Sequence, residues 1–303
     1  MIKIILTGVT GFVGQNLTRY IQRSGFEVQR LSLRKNWELP NSANAIIHLA
    51  GKAHDTANTS ADEEYFKVNR DLTIKLFDEF LNSNIKDFFY FSSVKATADT
   101  VDGILDENHI STPKTPYGKS KLEAEKYLLS QELPQNKRLF IIRPCMIHGP
   151  GNKGNLNLLY KVVEKRIPWP LAAFENQRSF LSIENLNFLI SEMLAKENLA
   201  SGIYNFADDE SLSTNDLVRL IANTNGKKGR LWKISSKLIS GTAKVGDIIG
   251  LPLDSERLKK LTESYVVSNQ KIKNALEIES LPVSVIEGLE TTIRSFGKKK
   301  QSK

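Results

Sequence analysis

Tyr117 and Lys121 stand four residues apart in the run Tyr117-Gly-Lys-Ser-Lys121. On a helix these positions face the same way, so the phenol and the ammonium are neighbours. A free tyrosine, with a pKa of about 10, is a poor base at neutral pH. A lysine beside it favours the phenolate and lowers that value. Ser93, in Phe91-Ser-Ser-Val-Lys-Ala96, lies at the tip of an apolar strand pattern and can donate to a reacting oxygen. Ser93, Tyr117 and Lys121 together read as a proton relay for carbonyl–alcohol interconversion. The same ammonium can hydrogen-bond a cofactor ribose.

Tyr-x-x-x-Lys arises often by chance, so its weight depends on what precedes it. Thr7-Gly8-Val-Thr-Gly11-Phe12-Val13-Gly14 sits directly between an apolar strand and a helix pattern. Glycines there permit a tight turn, close approach of a pyrophosphate and close helix–strand packing, and the helix N-terminus offers free N–H groups. The spacing is GxxGxxG rather than GxGxxG, so the strand–turn–helix context carries the reading more than the glycines do. The end of the second strand usually presents an acid to the adenosine ribose. Here that position is Ser32, with Arg34 and Lys35 close behind. A hydroxyl with nearby cations suits a 2′-phosphate, which leans the cofactor to NADP over NAD. A solvated basic turn is the competing reading.

The elements that must hold these groups alternate strand and helix. Ile2–Leu6 is apolar apart from Lys3 at its start, as in a strand buried on both faces. Val13, Leu17 and Ile21 then mark one helix face, and Gly25 is a natural stop. Further strands are expected at Glu27–Leu31, Ala45–Leu49, Asp87–Phe91 and Arg138–Ile142, with helices over roughly 62–82 and 117–131. This pattern predicts an α/β fold: a Rossmann-type doubly wound parallel sheet with helices on both faces. Past Pro150 the alternation loosens. Helices are expected over roughly 155–165, 182–196 and Thr214–Thr224, the last capped by Ser213, and a strand at Ser201–Ala207. The expected division is a dinucleotide-binding domain over 1–150 and a smaller mixed substrate domain over 151–303. The segment near 180–207 is expected to return to the first domain.

Composition excludes several classes. Of 303 residues, 40% are hydrophobic and 25% charged, an ordinary globular balance. No run reaches the roughly 18 apolar residues of a membrane span. The apolar N-terminus lacks a basic leader and a small-residue cleavage site, which reads as cytoplasmic with no integral membrane contact. The single Cys145 forms no internal disulfide and reads as a buried thiol, and four scattered histidines show no metal-ligand spacing, so no metal is expected. The net charge of +8 comes partly from the run Lys298–Lys303. With no nucleic-acid motif, the excess suits a small polyphosphate ligand rather than nucleic acid.

The pieces TGVTGFVG, IIHLAG, FSSVKA, TPYGKSKLEAE, IIRPCMIHGPG, RSFLSIENL and GIYNFAD, with a helix carrying Asn69, run nearly end to end. Together they resemble an extended short-chain dehydrogenase/reductase of the NAD-dependent epimerase/dehydratase family. Within it they resemble nucleotide-sugar 4-epimerases and 4-keto-6-deoxy-hexosamine reductases of bacterial surface-polysaccharide pathways. The resemblance implies that Gly8, Gly11, Phe12, Val13, Gly14, Leu49, Ala50, Gly51, Asn69 and Pro144 line the cofactor with Ser32, Arg34, Tyr117 and Lys121. It implies that Asn155 and Arg178 hold a nucleotide diphosphate and that Arg257 is a second phosphate clamp. Asn155 as a helix cap and Arg178 in a surface ion pair are the competing readings. His54 either reaches the sugar or is a loop histidine without that role. A homodimer is implied, paired through the helices near 62–82 and 117–131.

Three departures from the family pattern stand out. Only about a dozen residues separate Leu33 from Ala45, where the family usually has a helix, a further strand and an Asp beside the adenine. Met146 stands where many members have an asparagine. The clear strands number six rather than seven. The residues also exclude chemistry. Val94 and Lys95 follow Ser93 where dehydratases of the family carry Asp-Glu, and Val94 replaces the cysteine of epimerases acting at C3 and C5. What remains is hydride transfer at one carbinol carbon, most naturally C4 of a nucleotide-diphospho sugar. A 4-keto reductase is favoured over a 4-epimerase, because a reductase must exchange its cofactor and biosynthetic reductions draw on NADPH. A non-catalytic NADP-binding sensor is the remote alternative, disfavoured because Ser93, Tyr117 and Lys121 are all present.

Overall fold

The computed structural model describes residues 2–40, 42–52, 61–152, 154–249 and 255–298. The chain opens with strand β1 (Lys3–Thr7), helix α1 (Phe12–Arg23), β2 (Glu27–Leu31) and β3 (Ala45–His48). Helix α2 (Asp62–Phe66) runs through a π turn (Lys67–Asp71) into α3 (Leu72–Leu81), followed by β4 (Asp87–Phe91). A 3₁₀ turn (Val94–Ala96), the short β5 (Ile104–Leu105), α4 (Pro116–Ser130), β6 (Arg138–Pro144) and β7 (Met146–His148) come next. The second half holds α5 (Asn155–Glu164), β8 (Arg178–Ser182), α6 (Ile183–Ala195), β9 (Gly202–Phe206), β10 (Ser211–Leu212) and α7 (Thr214–Thr224). It closes with α8 (Ser236–Ile249), α9 (Ser255–Thr262), β11 (Val266–Val267), α10 (Gln270–Leu276) and α11 (Val285–Lys298).

Six strands form one parallel sheet in the order β2-β1-β3-β4-β6-β9. Alternate residues of each strand face opposite sides. Ile4, Leu6, Ile47, Phe89 and Phe140 pack with Leu17 and Ile21 of α1 and Leu186 and Leu189 of α6. Ile5, Ile46, Phe88 and Ile141 pack on the other side with Leu76, Phe77 and Phe80 of α3 and Leu128 of α4. This is the expected doubly wound α/β sheet. The direction of winding reverses between β1 and β3, so their carboxyl ends open the crevice in which such sheets bind ligands.

No helix or strand lies among the described residues between Leu31 and Ala45, so β2 is the sheet edge. Its residues are accordingly half-exposed, whereas β3 and β4 are buried throughout. The helix expected over 62–82 forms without a break from Asp62 to Leu81, widened by the π turn at Asn69. β9 pairs with β6 in the large sheet, and α6 shares its face with α1. β8 instead joins β7 and β10 in a separate three-stranded sheet. A third apolar cluster, including Leu156, Tyr160, Leu217, Ile221, Ile239, Leu289 and Ile293, unites α5, α7, α8 and α11. Ser213 caps α7 as expected, accepting from the Asp216 amide.

Candidate active site

The site begins at the first turn of α4. Thr115 caps this helix by accepting from the Gly118 amide at 3.2 Å, and Pro116 starts it with its fixed φ. A Cβ on Gly118 would lie 2.4 Å from the Lys95 carbonyl oxygen and 2.8 Å from Pro113 Cβ. Only glycine lets the helix start sit this close to the turn after Ser93. That contact brings Ser93 to Tyr117, whose side chains are hydrogen-bonded. The Ser93 Oγ accepts from the Lys95 amide at 3.2 Å, which leaves its hydroxyl proton for the phenol oxygen.

Lys121 lies one turn further along, 5% exposed. Its Nζ donates to the Phe91 carbonyl at 2.8 Å and sits 4.8 Å from the centre of the Tyr90 ring. Burial pushes the ammonium down to about 8, with Glu125 pulling the other way. The phenol of Tyr117 is raised above the ordinary tyrosine value, chiefly by burial, while the Ser93 hydrogen bond opposes the rise. This corrects the expectation of a lowered phenol. Taking the hydroxyl out of water disfavours the phenolate by more than its hydrogen bond restores.

The dinucleotide loop has the packing that its glycines imply. Gly8 has φ +68°, and a Cβ there would lie 2.7 Å from both Leu49 C and Ala50 N. A Cβ on Gly14 would lie 2.3 Å from the Gly8 carbonyl oxygen. Gly11 N-caps α1, so Phe12 and Val13 present the first free amides of that helix to the crevice between β1 and β3. Gly51 follows the same crevice, and a Cβ on it would stand 3.2 Å from Lys121 Nζ and 3.0 Å from Asn69 Oδ1. Gly8, Gly14 and Gly51 therefore leave no side chain of their own between the glycine loop and Lys121. That is the bare, positively polarised cradle a dinucleotide pyrophosphate needs. Asn69 is fully buried in the π turn; its side chain accepts from the Lys52 amide at 2.7 Å and donates to Ser120 Oγ at 3.1 Å. Pro144 ends β6 beside Phe206.

Ser32, Arg34 and Lys35 are all exposed just past β2.

Arg178 opens β8. Burial holds its guanidinium below its ordinary value, with Glu263 opposing. It forms a backbone bridge with Tyr265. Asn155 is the first residue of α5, with Gly154 rather than Asn155 in the capping position. Arg257 lies in α9. The side chains of Asn155 and Arg257, and the whole of His54, lie outside the described residues. Cys145 is buried, and burial pushes its thiol well up, as expected of an inert core cysteine.

Two groups of residues escaped the sequence reading. Glu125 and Arg143 form an ion pair at 1% and 3% exposure, and Ser92 also donates to Glu125. Glu125 is one helical turn beyond Lys121, and Arg143 precedes Pro144. Tyr265 donates its hydroxyl to the carbonyls of Ala98 and Val94, at 2.8 and 3.1 Å. Gly118 alone carried a visible signal, a glycine inside an otherwise helical run.

The chain is similar to known proteins over nearly its whole length. Residues 4–207 match the model of the NAD dependent epimerase/dehydratase family. The chain belongs to this family of enzymes. The UDP-glucose 4-epimerase of Vibrio cholerae is 33% identical over 97% of this chain and 95% of that protein. The GDP-6-deoxy-D-mannose reductase of Pseudomonas aeruginosa is 23% identical over 73% of this chain and 79% of that protein. Among solved structures, the UDP-N-acetylglucosamine 4-epimerase of Bacillus cereus superposes with a TM-score of 0.77 at 21% identity, covering 98% of this chain and all of that one. Among the described residues, no helix is long and apolar enough to cross a membrane.

Proposed function

We propose that the chain is an NADPH-dependent reductase of nucleoside-diphospho-4-keto-6-deoxy sugars. The observation that carries the choice of cofactor is the exposed Ser32, Arg34 and Lys35 at an uncovered sheet edge. That end of the cleft suits a 2′-phosphate and permits release of a spent cofactor after each turnover. A raised Tyr117 pKa keeps the proton on the phenol at neutral pH, the state a carbonyl reduction requires.

When bound, the nicotinamide supplies a hydride to the C4 carbonyl carbon. Tyr117 gives its hydroxyl proton to the carbonyl oxygen as that oxygen gains charge. Ser93 donates a hydrogen bond to the same oxygen. The buried Lys121 ammonium, beside Gly51, offsets the charge left on the phenol. Arg178, already desolvated, is suited to a diphosphate oxygen, with Asn155, Arg257 and His54 as further substrate contacts.

A second reading, nucleoside-diphospho-sugar 4-epimerisation, is favoured by the 33% identity to a 4-epimerase over nearly the whole chain. The two share Ser93, Tyr117 and Lys121 and differ in how the cofactor is kept. The substrate class is tested by thermal shift with UDP-, GDP- and dTDP-sugars in the presence of each cofactor, because a ligand of the native state raises its stability. Stabilisation by a nucleotide sugar supports the proposal; none by any of the panel would remove the substrate assignment.

A further inference from the structure

His48 ends β3 and is 1% exposed. A buried imidazole costs free energy for each nitrogen left without a partner. Here Nδ1 lies 2.8 Å from Thr7 Oγ1, and Nε2 lies 2.9 Å from Thr73 Oγ1. The proton directions follow from the neighbours. Thr73 gives its one hydroxyl proton to the Asn69 carbonyl at 2.8 Å, so its oxygen accepts from His48 and the imidazole proton sits on Nε2. Burial first, and the charge of Lys121 second, hold the His48 pKa down to about 3, so the ring is neutral and Nδ1 is bare. Nδ1 therefore accepts from the Thr7 hydroxyl, whose oxygen in turn accepts from the Ala50 amide at 3.0 Å. One uninterrupted run of donors leads from the Ala50 N–H through Thr7, His48 and Thr73 to the Asn69 carbonyl.

The two ends of this run are the two walls of the cleft. Ala50 lies in the stretch Leu49–Gly51 that packs on Gly8. Asn69 lies in the π turn, a helix irregularity that recurs at functional sites. Its side chain closes on the same stretch from the other direction, bonding both the amide and the carbonyl of Lys52 at 2.7 and 3.1 Å. It also reaches Ser120, the residue before Lys121. Gly51 is thus held from both sides, facing Lys121 Nζ. An apolar side chain of similar size would fill the volume of His48 but leave the Thr7 hydroxyl without its acceptor and the Thr73 oxygen without its imidazole donor, and the walls untied.

We propose that His48 is a positioning residue that, through Thr7 and Thr73, holds the Leu49–Gly51 wall and the Asn69 turn in register for the dinucleotide. The inference rests on the cofactor-binding part of the proposed function and not on the sugar or the direction of reaction. Its failure is therefore separable from failure of the reductase reading, which product analysis decides.

The test uses the full chain with labelled histidines and long-range ¹H–¹⁵N NMR. His48 is expected to stay neutral with its proton on Nε2 down to about pH 5, where an ordinary imidazole is protonated. NADPH and NADH are then titrated by nicotinamide fluorescence, and UDP by calorimetry, on the wild type, Thr73→Val, Thr73→Ser and His48→Phe. Thr73→Val and His48→Phe are expected to weaken binding of the preferred cofactor by about tenfold. Thr73→Ser is expected to stay within about twofold of the wild type, and UDP affinity to hold in all. Three results would overturn the proposal: His48 titrating as an ordinary imidazole or carrying its proton on Nδ1, folded Thr73→Val binding the cofactor as the wild type does, or equal losses for cofactor and UDP.

Discussion

Tyr265 reaches across 167 residues of chain to donate its hydroxyl to the carbonyl of Ala98 at 2.8 Å. The same hydroxyl lies 3.1 Å from the carbonyl of Val94, the residue after Ser93. The backbone of Tyr265 meanwhile bridges to Arg178, accepting from the Ser179 amide and donating to the Gln177 carbonyl at 2.9 and 2.7 Å. One residue therefore joins the strand that presents Arg178 to the turn that presents Ser93. Tyr265→Phe keeps the ring and the backbone pairing but removes the hydroxyl. The expected result is a stability loss of about 1 kcal/mol and a several-fold fall in turnover, with cofactor affinity unchanged. Thermal unfolding, steady-state kinetics and cofactor titration check this; unchanged turnover would detach Tyr265 from the Ser93 turn.

Glu125 and Arg143 are buried as charges, and each depends on the other. Glu125→Ala leaves the Arg143 guanidinium and the Ser92 hydroxyl without their acceptor, and the expected destabilisation is about 3–5 kcal/mol. The double variant Glu125→Leu with Arg143→Met should recover a large part of that loss, since removing both charges removes the desolvation cost. Denaturant unfolding of the three variants measures it, and a double variant no better than Glu125→Ala would contradict the pairing.

Lys121 supplies a pH dependence whose sign is fixed. Its pKa is lowered to about 8, so the ammonium is intact below that pH and is lost as pH rises through it. The expected kcat/KM is level near neutrality and falls above about 8. Lys121→Arg, charged at every accessible pH, should lower activity but move that alkaline limb upward. A limb that stays in place would assign it to another group.

Helices α2, α3 and α4 pack together at the surface, tied by Arg70 to Glu123 at 2.7 Å, and Leu129 is half-exposed beyond them. From the family resemblance we propose this face as the seam of a homodimer, a four-helix bundle across two copies. Light scattering at micromolar concentration should give the dimer mass, and Leu129→Glu should shift it toward monomer. A monomer mass for the wild type would contradict the pairing.

What the sequence revealed follows the range of the interactions. The glycine loop and the Tyr117–Lys121 pair are local, so spacing together with the strand and helix patterns around them exposes them, and the apolar runs of β1, β3, β4 and β6 mark a sheet buried on both faces. The ties that set the site were not legible. His48 meets Thr7 and Thr73 at separations of 41 and 25 residues, and Tyr265 meets Val94 at 171. Nothing local distinguishes these from ordinary core or loop residues. The π turn at Asn69 was hidden because the apolar stripe Leu72, Leu76 and Phe80 continues regularly after it. The rise of the Tyr117 pKa was missed because spacing supplies a charged neighbour but not the burial that outweighs it.

One comparison decides the direction of reaction. The protein is purified without added nucleotide and its bound cofactor is identified. It is then given NADPH with a UDP-4-keto-6-deoxy sugar, and separately UDP-glucose or UDP-N-acetylglucosamine with no cofactor added. The account predicts stoichiometric NADPH oxidation with the keto sugar and no change in the second mixture. Interconversion of 4-epimers in the second mixture, with NAD retained through purification, would contradict it.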